Sequence, residues 1–274
     1  VITLYIEGIT RGRKFVEVAK AITPHKPVVA LYVGGSETGR QAGLSHTGSM
    51  SGPNEIYDGV FRQCGIIRAT TITELFDYAL ALGTLPRPGG NRVIILTHSG
   101  GPGATAADSC GRAGLALPQL SPETLDKLKP MIPRTASTAN PVDLTYNRDF
   151  AESFFDIPDV LLSEKDADML LAYILSPGSF ADRILKEMGV PDESISSERE
   201  KILKEHSEAF FSLTKRHPGK AIVGFTYRSL QEKMIRTLLD RGIPVYQDPE
   251  RAVRAMAAVW KYYEKRESMK ADAA

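Results

Sequence analysis

The residues that could do chemistry lie in two glycine-rich loops, each placed directly after an apolar, strand-like run. The first loop, residues 34–52, reads GGSETGRQAGLSHTGSMSG and contains His46. Backbone N–H groups and small hydroxyls in such a loop suit an anion. An imidazole among them can act as a nucleophile or a proton carrier. A surface histidine in a flexible loop is the alternative, and His46 taken alone favours it.

The second loop, HSGGPGA at His98–Ala104, lies between the apolar run Val93–Thr97 and a helical pattern. Glycines at this point form an anion site because unpaired N–H groups and the helix dipole point the same way. The loop lacks the Gly-Lys-Ser/Thr of a Walker A motif and is not Gly-x-Gly-x-x-Gly. A tight turn that packs a helix onto its sheet explains the glycines equally well, so the sequence leaves both readings open.

Taken together, the two loops indicate more than either alone. A histidine in one loop and a phosphate-sized cradle in the other suggest phosphoryl transfer through a phosphohistidine. Glu7 ends the first strand-like run, and its carboxylate could bond one imidazole nitrogen if that run pairs with residues 27–33. From position alone, an exposed glutamate at a strand end is the favoured interpretation of Glu7.

The elements that must position these loops alternate between strand and helix along the whole chain. Near-continuous apolar strands alternating with helices predict an α/β fold, with parallel sheets covered by helices on both faces. The segment TLPRPGGNR at residues 84–92 is typical of a connector, which predicts two domains at residues 1–85 and 86–274. The predicted strands are residues 1–6, 27–33, 66–69, 93–97, 168–175, 221–225 and 243–246.

Composition excludes several classes of protein. The chain has 274 residues, with 34 Lys and Arg against 33 Asp and Glu, so its formal net charge of +1 argues against a general nucleic-acid binder. It contains no run of about 18 apolar residues, and therefore no predicted membrane span. Two cysteines, Cys64 and Cys110, favour a reduced, cytoplasmic protein. Because the chain opens at Val1 inside a strand, we expect the protein to begin further upstream.

Several segments resemble the NDP-forming acyl-CoA synthetases, such as ADP-forming acetyl-CoA synthetase, which are relatives of succinyl-CoA synthetase. The first is SHTGSMSGPNEIYDGVFRQCGIIRATTITELFDYA at Ser45–Ala79, and the second is NRVIILTHSGGPGATAADSCGRAGL at Asn91–Leu115. NPVDL at Asn140–Leu144 and GIPVYQDPERAVRAM at Gly242–Met256 are also similar. The resemblance extends over nearly the whole chain.

The resemblance implies two flavodoxin-like, succinyl-CoA ligase-like domains, of which the first is incomplete at its N-terminus. Residues 1–85 would be the latter part of the phosphohistidine domain, and residues 86–274 a second ligase domain with a phosphate-binding helix. His46 matches the histidine that is phosphorylated, and Glu7 matches a glutamate that steadies it. The start of the phosphate-binding helix matches Gly100, Gly101, Gly103 and Ala104.

The implied activity is an acid–thiol ligase that interconverts acyl-CoA, NDP and phosphate with a carboxylic acid, CoA and NTP. The family's CoA-binding and ATP-grasp domains are not found here, so we expect them on the same polypeptide or on a partner subunit. The chain would bind no cofactor or metal by itself and would be inactive alone. Mg-ATP or Mg-ADP, CoA and phosphate would act in the complete enzyme, which we expect to be an oligomer without nucleic-acid or membrane partners.

Two functions other than a ligase remain possible from the sequence. A regulatory or scaffolding module, as in relatives fused to a protein acetyltransferase, usually lacks the histidine, so the retained His46, Glu7 and glycines favour the enzyme. A flavodoxin-like small-molecule binder is the second of these.

The sequence departs from the family at two places. His98-Ser99 stand where the family usually shows Asn-Ala, and the charged stretch Lys186–Glu208 has no assigned role.

Overall fold

A computed structural model describes residues 1–39, 41, 52–133, 135–145, 152–175 and 178–271. The chain divides into two compact units, residues 1–83 with 258–274, and residues 84–257. The sequence-based division at residue 85 gave all of the C-terminal helix to the second domain, whereas residues 258–274 cluster with the first unit.

The first unit contains a parallel sheet of three described strands in the order β1-β2-β3. The central strand is completely buried, in agreement with its continuous apolar run. Gly65 ends the second helix in the left-handed conformation at φ 69°, which a glycine adopts without strain. The elements are β1 (Ile2–Ile6), α1 (Gly12–Ile22), β2 (Val28–Tyr32), α2 (Asn54–Cys64), β3 (Ile67–Ala69) and α3 (Ile72–Thr84).

The second unit is built on a parallel sheet of five described strands, in the order β5-β4-β6-β7-β8. Strands β4 and β7 are buried at every residue. The strands of this unit are β4 (Val93–Thr97), β5 (Val142–Asp143), β6 (Met169–Tyr173), β7 (Ala221–Phe225) and β8 (Val245–Tyr246).

Helices and one π-helical turn connect these strands. The turn at Glu152–Asp156 runs directly into the sixth helix. The last helix continues to residue 271, and in the first unit its Tyr262 hydroxyl donates to the carbonyl of Thr23 at 3.0 Å. The helices are α4 (Gly100–Ala113), α5 (Pro122–Leu128), α6 (Ile157–Leu162), α7 (Gly178–Glu187), α8 (Asp192–Arg216), α9 (Lys233–Asp240) and α10 (Pro249–Ala271).

The α/β class and the parallel sheets predicted from the sequence are confirmed, while several boundaries differ. Glycine commonly ends a helix, but α3 continues through Gly83 to Thr84. Strand β5 was not predicted, because two residues are too few to show a periodicity. No helix in the described ranges is long and apolar enough to cross a membrane.

Candidate functional site

The loop between β4 and α4 places a helix N-terminus at the carboxyl edge of the second unit's sheet. Only His98 and Ser99 separate the strand from the helix. The Thr97 hydroxyl fixes this turn, since it donates to the Ser99 carbonyl at 3.0 Å and accepts from the Ser99 N–H at 3.3 Å. Ser99 is extended and precedes the first helical residue. In open α/β sheets this edge is where ligands bind.

Two of the predicted cradle residues present their amides to this edge. Gly100 and Gly101 are the first two helical residues, whose N–H groups have no acceptor within a helix. Pro102 has no N–H, and the Gly103 N–H points back to the Ser99 carbonyl at 3.5 Å. A Cβ added at Gly101 would meet nothing within 4 Å, so no side chain packs over this position. The Gly100 and Gly101 amides can therefore receive an anion.

Gly103 has a different function, which is close packing. A Cβ at this position would lie 2.9 Å from Thr97 Cγ2 and 3.4 Å from Pro141 Cβ, so only a glycine lets the helix approach the sheet this closely. Ala104 follows it within the helix. Both interpretations that the sequence left open apply to this loop. The Gly100 and Gly101 amides are available to an anion, and Gly103 allows the helix to pack closely on the sheet.

Asn140 holds a neighbouring segment against β4, a feature that sequence reasoning did not assign to the site. Its side-chain oxygen accepts from the Ile95 N–H at 3.0 Å, and its amide nitrogen donates to the Val93 carbonyl at 2.8 Å. The side chain thereby satisfies backbone groups at the edge of the strand in the way that a paired strand would. This contact places Pro141 under Gly103 and starts strand β5.

Asp143 ends β5 at the same edge and was also missed. One carboxylate oxygen lies 3.7 Å from the position of a Cβ at Gly100, and the other accepts the Thr145 N–H at 3.0 Å. A carboxylate beside a helix N-terminus stabilises the helix, but its charge opposes a bound anion. Asp143 lies within the NPVDL segment, and its closeness to Gly100 follows from the pairing of β5 with β4.

His98 is buried beside this helix start. Only 8% of the residue is exposed, and its ring meets the Tyr173 ring edge-on with 6.0 Å between centroids. Burial lowers the pKa of His98 from 6.5 to about 4, although the nearby negative charge of Asp143 acts in the opposite direction. The imidazole is consequently neutral at pH 7.

In the first unit, Glu7 lies at the carboxyl edge of the smaller sheet. The parallel pairing of β1 with β2, which the role of Glu7 requires, is confirmed by the register Ile6 to Tyr32. Glu7 follows directly and is partly exposed. Its carboxylate therefore lies at the edge from which the first glycine loop starts.

The two described ends of that loop meet at this edge. The Tyr32 hydroxyl donates to the Gly52 carbonyl at 2.6 Å, and the Tyr32 and Tyr57 rings stack with 3.5 Å between centroids. A Cβ at Gly35 would collide with the Asn54 side chain, so the first end packs closely against the start of α2. His46, the predicted phosphohistidine, lies outside the described residues.

The predicted site residues thus fall into two groups. Glu7 belongs to the first unit, and the four residues at the start of α4 belong to the second. No set of three or more His, Cys, Asp or Glu residues within the described ranges is arranged to hold a metal ion.

Comparisons with known proteins indicate the class of protein to which this chain is related. Residues 1–82 match the model of the succinyl-CoA ligase-like flavodoxin domain. The chain is 36% identical over 260 residues to the alpha subunit of acetate–CoA ligase [ADP-forming] II from Pyrococcus furiosus, covering 94% of this chain and 52% of the relative. It is also 36% identical over 263 residues to acetate–CoA ligase [ADP-forming] I from Archaeoglobus fulgidus, covering 96% of this chain and 34% of that protein.

A solved structure shows the same kinship. The dinucleotide-forming acetyl-coenzyme A synthetase 1 of Ca. Korarchaeum cryptofilum, in complex with phosphate and ADP, matches with a TM-score of 0.78 and 28% identity, covering 100% of this chain and 55% of that one. Residues 1–82 are therefore a succinyl-CoA ligase-like domain, and the chain as a whole is a homologue of the ADP-forming acetyl-CoA synthetases. The family resemblance of the sequence motifs is confirmed. The chain spans about half the length of the Pyrococcus relative.

Proposed function

We propose that this chain is the part of an NDP-forming acid–thiol ligase that carries the phosphohistidine and one phosphate-binding helix. The observation that carries the proposal is the N-terminus of α4, where the Gly100 and Gly101 amides have no acceptor within the helix and lie at the carboxyl edge of the sheet. The homology to ADP-forming ligases over 94% of the chain supports it. His46 is the proposed nucleophile, and Glu7 the proposed partner of its imidazole.

The proposed reaction has three steps. An oxygen of inorganic phosphate attacks the thioester carbonyl of the acyl-CoA, the C–S bond breaks, and CoA leaves as a thiolate that takes up a proton. An imidazole nitrogen of His46 then attacks the phosphorus of the acyl phosphate, and the carboxylate leaves as the P–O bond breaks. Finally, a terminal oxygen of the NDP attacks the phosphohistidine, the P–N bond breaks, and NTP forms with His46 restored.

Within this scheme the start of α4 binds the phosphate of the first step. The Gly100 and Gly101 amides would stabilise negative charge on its oxygens, since they are oriented before the phosphate arrives. Gly103 and Asn140 act indirectly, because they hold the helix and the β5 segment at the sheet edge. The helix thus performs electrostatic positioning, while the chemistry belongs to the phosphate and to His46.

The complete enzyme in this proposal includes CoA-binding and ATP-grasp domains, on the same polypeptide or on a partner subunit. The relatives support this, because the chain accounts for 52% of the Pyrococcus alpha subunit and 34% of the Archaeoglobus protein. Mg-ATP or Mg-ADP, CoA, phosphate and a small carboxylic acid would be its reactants. An oligomer in the cytoplasm is the proposed setting.

A regulatory or scaffolding module was the alternative function. The relatives described above carry the names of ligases or synthetases, which supports the catalytic reading. No contact among the described residues specifically favours the regulatory one.

The deciding experiment is to incubate the full-length protein with Mg-ATP and to map acid-labile phosphate by peptide mass spectrometry. We expect phosphate on His46, and we expect it to disappear when the carboxylic acid and CoA are added together. His25, an exposed histidine in the turn after α1, is the internal control and should remain unlabelled. A full-length protein that binds ATP without any labelling of His46 would contradict the proposal and favour the regulatory module.

A further inference from the structure

Four aromatic rings cluster at the carboxyl edge of the second unit's sheet. The Tyr173 ring, at the end of β6, stacks on Phe225 of β7 with 5.0 Å between centroids and 11° between planes. It also meets the rings of His98 and Tyr227 edge-on, with centroid distances of 6.0 Å and 5.7 Å. Phe225 is completely buried and His98 nearly so, whereas 55% of Tyr227 is exposed. The cluster therefore has a buried base and one ring that faces solvent.

The exposed ring of Tyr227 is fixed by its surroundings. It packs edge-on against Phe225 with 6.2 Å between centroids. The residue before it, Thr226, is completely buried, and its N–H donates to the Tyr246 carbonyl at 2.8 Å. A ring that is already ordered loses little conformational freedom when a ligand stacks on it. Since ligands of open α/β sheets bind beyond this edge, a fixed and exposed ring there points to a planar ligand.

The charges around this ring favour a ligand with one negative charge. Arg228 is exposed, and within the described ranges its hydrogen bonding is confined to its backbone N–H, so its guanidinium has no carboxylate partner there. Burial raises the pKa of Tyr173, and the positive charge of Arg228 acts in the opposite direction. Burial also raises the pKa of Tyr227, as do the negative charges of Glu250 and Asp248. A lone guanidinium balances one carboxylate, whereas the two acidic neighbours oppose a nucleotide with several phosphate charges.

We propose that Tyr173, Tyr227 and Arg228 bind an aromatic carboxylic acid as the acyl substrate, with its ring stacked on Tyr227 and its carboxylate balanced by Arg228. This inference rests on the proposed function and deepens it, because it names the class of acid. His98, which contacts Tyr173, lies one residue before Ser99 and the start of α4, so the acid lies next to the proposed phosphate. Such closeness is required, because the attacking oxygen and the acyl carbon must approach to about 3–3.5 Å.

The test measures binding of phenylacetate and of cyclohexylacetate to the full-length protein by isothermal titration calorimetry, without CoA or nucleotide. The two acids have the same carboxylate and nearly the same size, but only phenylacetate has an aromatic face. We expect the wild type to bind phenylacetate about twofold to tenfold more tightly, as a single aromatic contact allows. In Tyr227→Leu, which keeps an apolar side chain, this preference should disappear.

Two further variants separate the charge from the ring. Arg228→Gln should weaken the binding of both acids by a similar factor of about fivefold, because it removes the cation and keeps the aromatic face. Phe76→Leu is the matched control, since it replaces an exposed aromatic ring on α3 of the first unit and should change neither affinity. In the acyl-CoA-forming direction, Tyr227→Leu should raise the KM for phenylacetate and leave the kinetics with acetate unchanged.

Thermal melting shows whether each variant is folded. An undiminished preference for phenylacetate in a folded Tyr227→Leu variant would overturn the proposal, and so would Tyr227-dependent binding of ADP in place of phenylacetate. Unchanged affinities in Arg228→Gln would overturn the role of the guanidinium. A protein whose His46 is labelled by Mg-ATP but which does not bind phenylacetate would remove this inference alone. Binding of phenylacetate through Tyr227 while His46 stays unlabelled would remove the proposed function and keep the aromatic-acid site.

Discussion

The two glycine loops follow buried parallel strands in the same way, yet their local structures differ. In the second unit, two residues connect β4 to α4, and the helix start is fixed by Thr97, Gly103 and Pro141. In the first unit, residues 33–53 separate β2 from α2, and the described contacts hold the two ends of the loop. A short, packed connection suits a fixed binding site, and the first segment, held at its two described ends, contains the proposed carrier of the phosphoryl group.

The largest expected effect concerns His46, the proposed carrier of the phosphoryl group, and should leave the step at the start of α4 intact. In the complete enzyme, we expect His46→Ala to abolish nucleotide-dependent turnover, because no nucleophile remains to accept the phosphoryl group. Phosphate-dependent release of CoA from acyl-CoA should persist, since that step precedes the histidine. Both are measured by assaying free thiol and NTP in parallel.

His25→Ala is the matched control for His46→Ala, since His25 is exposed and lies outside both loops. It should leave both assays at the wild-type level. NTP formation at the normal rate in the His46→Ala variant would show that His46 does not carry the phosphoryl group.

A second prediction concerns acid stability of the second unit. The pKa of His98 is 6.5 when unfolded and about 4 when folded, so the unfolded chain binds the proton first as the pH falls. Stability is therefore complete above pH 6.5 and decreases until about pH 4. The shift corresponds to about 3 kcal/mol at 1.36 kcal/mol per pH unit. Urea unfolding of the wild type and of His98→Phe across this range measures the difference.

Glu164 also changes the stability of the second unit at acid pH, independently of His98. Burial alone would raise the pKa of Glu164, but hydrogen bonds from Ser121 and Thr124 hold it at about 2. This depressed pKa contributes stability above pH 4.5, which is lost as the pH falls from 4.5 towards 2. Both proteins share that loss, so a wild-type curve parallel to that of His98→Phe between pH 6.5 and 4.5 would contradict the prediction.

The third prediction tests the two functions assigned to the cradle glycines. Gly103→Ala should lower the free energy of unfolding by about 1–3 kcal/mol, because its Cβ would press on Thr97 and Pro141. Gly101→Ala meets no packed neighbour beyond the ring of the following Pro102, so it should lower stability by less than Gly103→Ala. Denaturant titration of both variants decides this, and equal stabilities would show that Gly103 does not pack as described.

The smallest expected effect concerns the anchor of the first loop. Tyr32→Phe removes the hydroxyl that donates to the Gly52 carbonyl and should lower stability by about 1 kcal/mol. Tyr5→Phe is the control, because Tyr5 is 58% exposed. Denaturant titration compares the two variants. A destabilisation of similar size in both would contradict the anchoring function of Tyr32.

Much of this architecture could be predicted from residue patterns. The apolar runs of β2, β4 and β7 predict buried parallel strands, and Gly65 indicates the end of a helix. A serine before Pro122 is typical of a helix cap, and the Ser121 hydroxyl accepts the Thr124 N–H at 3.3 Å. Thr71 and Glu74 have the spacing of a capping box, of which one half forms: the Glu74 N–H donates to the Thr71 hydroxyl, while the Glu74 carboxylate accepts from Thr70.

The missed features depend on residues far apart in the chain. Strand β5 exists because the Asn140 side chain bonds to β4, more than 40 residues earlier, and nothing in its own two residues indicates a strand. For the same reason Asp143 could not be assigned to the cradle, since its closeness to Gly100 follows from that pairing.

The sequence by itself determined the fold class, the two loops and the family, because apolar periodicity and glycine-rich motifs are local properties. Only the tertiary structure decided which cradle glycine is open and which is packed, since Thr97 and Pro141 meet at Gly103 only after the sheet forms. It also decided that His98 is buried and neutral. Burial is a property of all the elements that converge at the sheet edge, and no single segment encodes it.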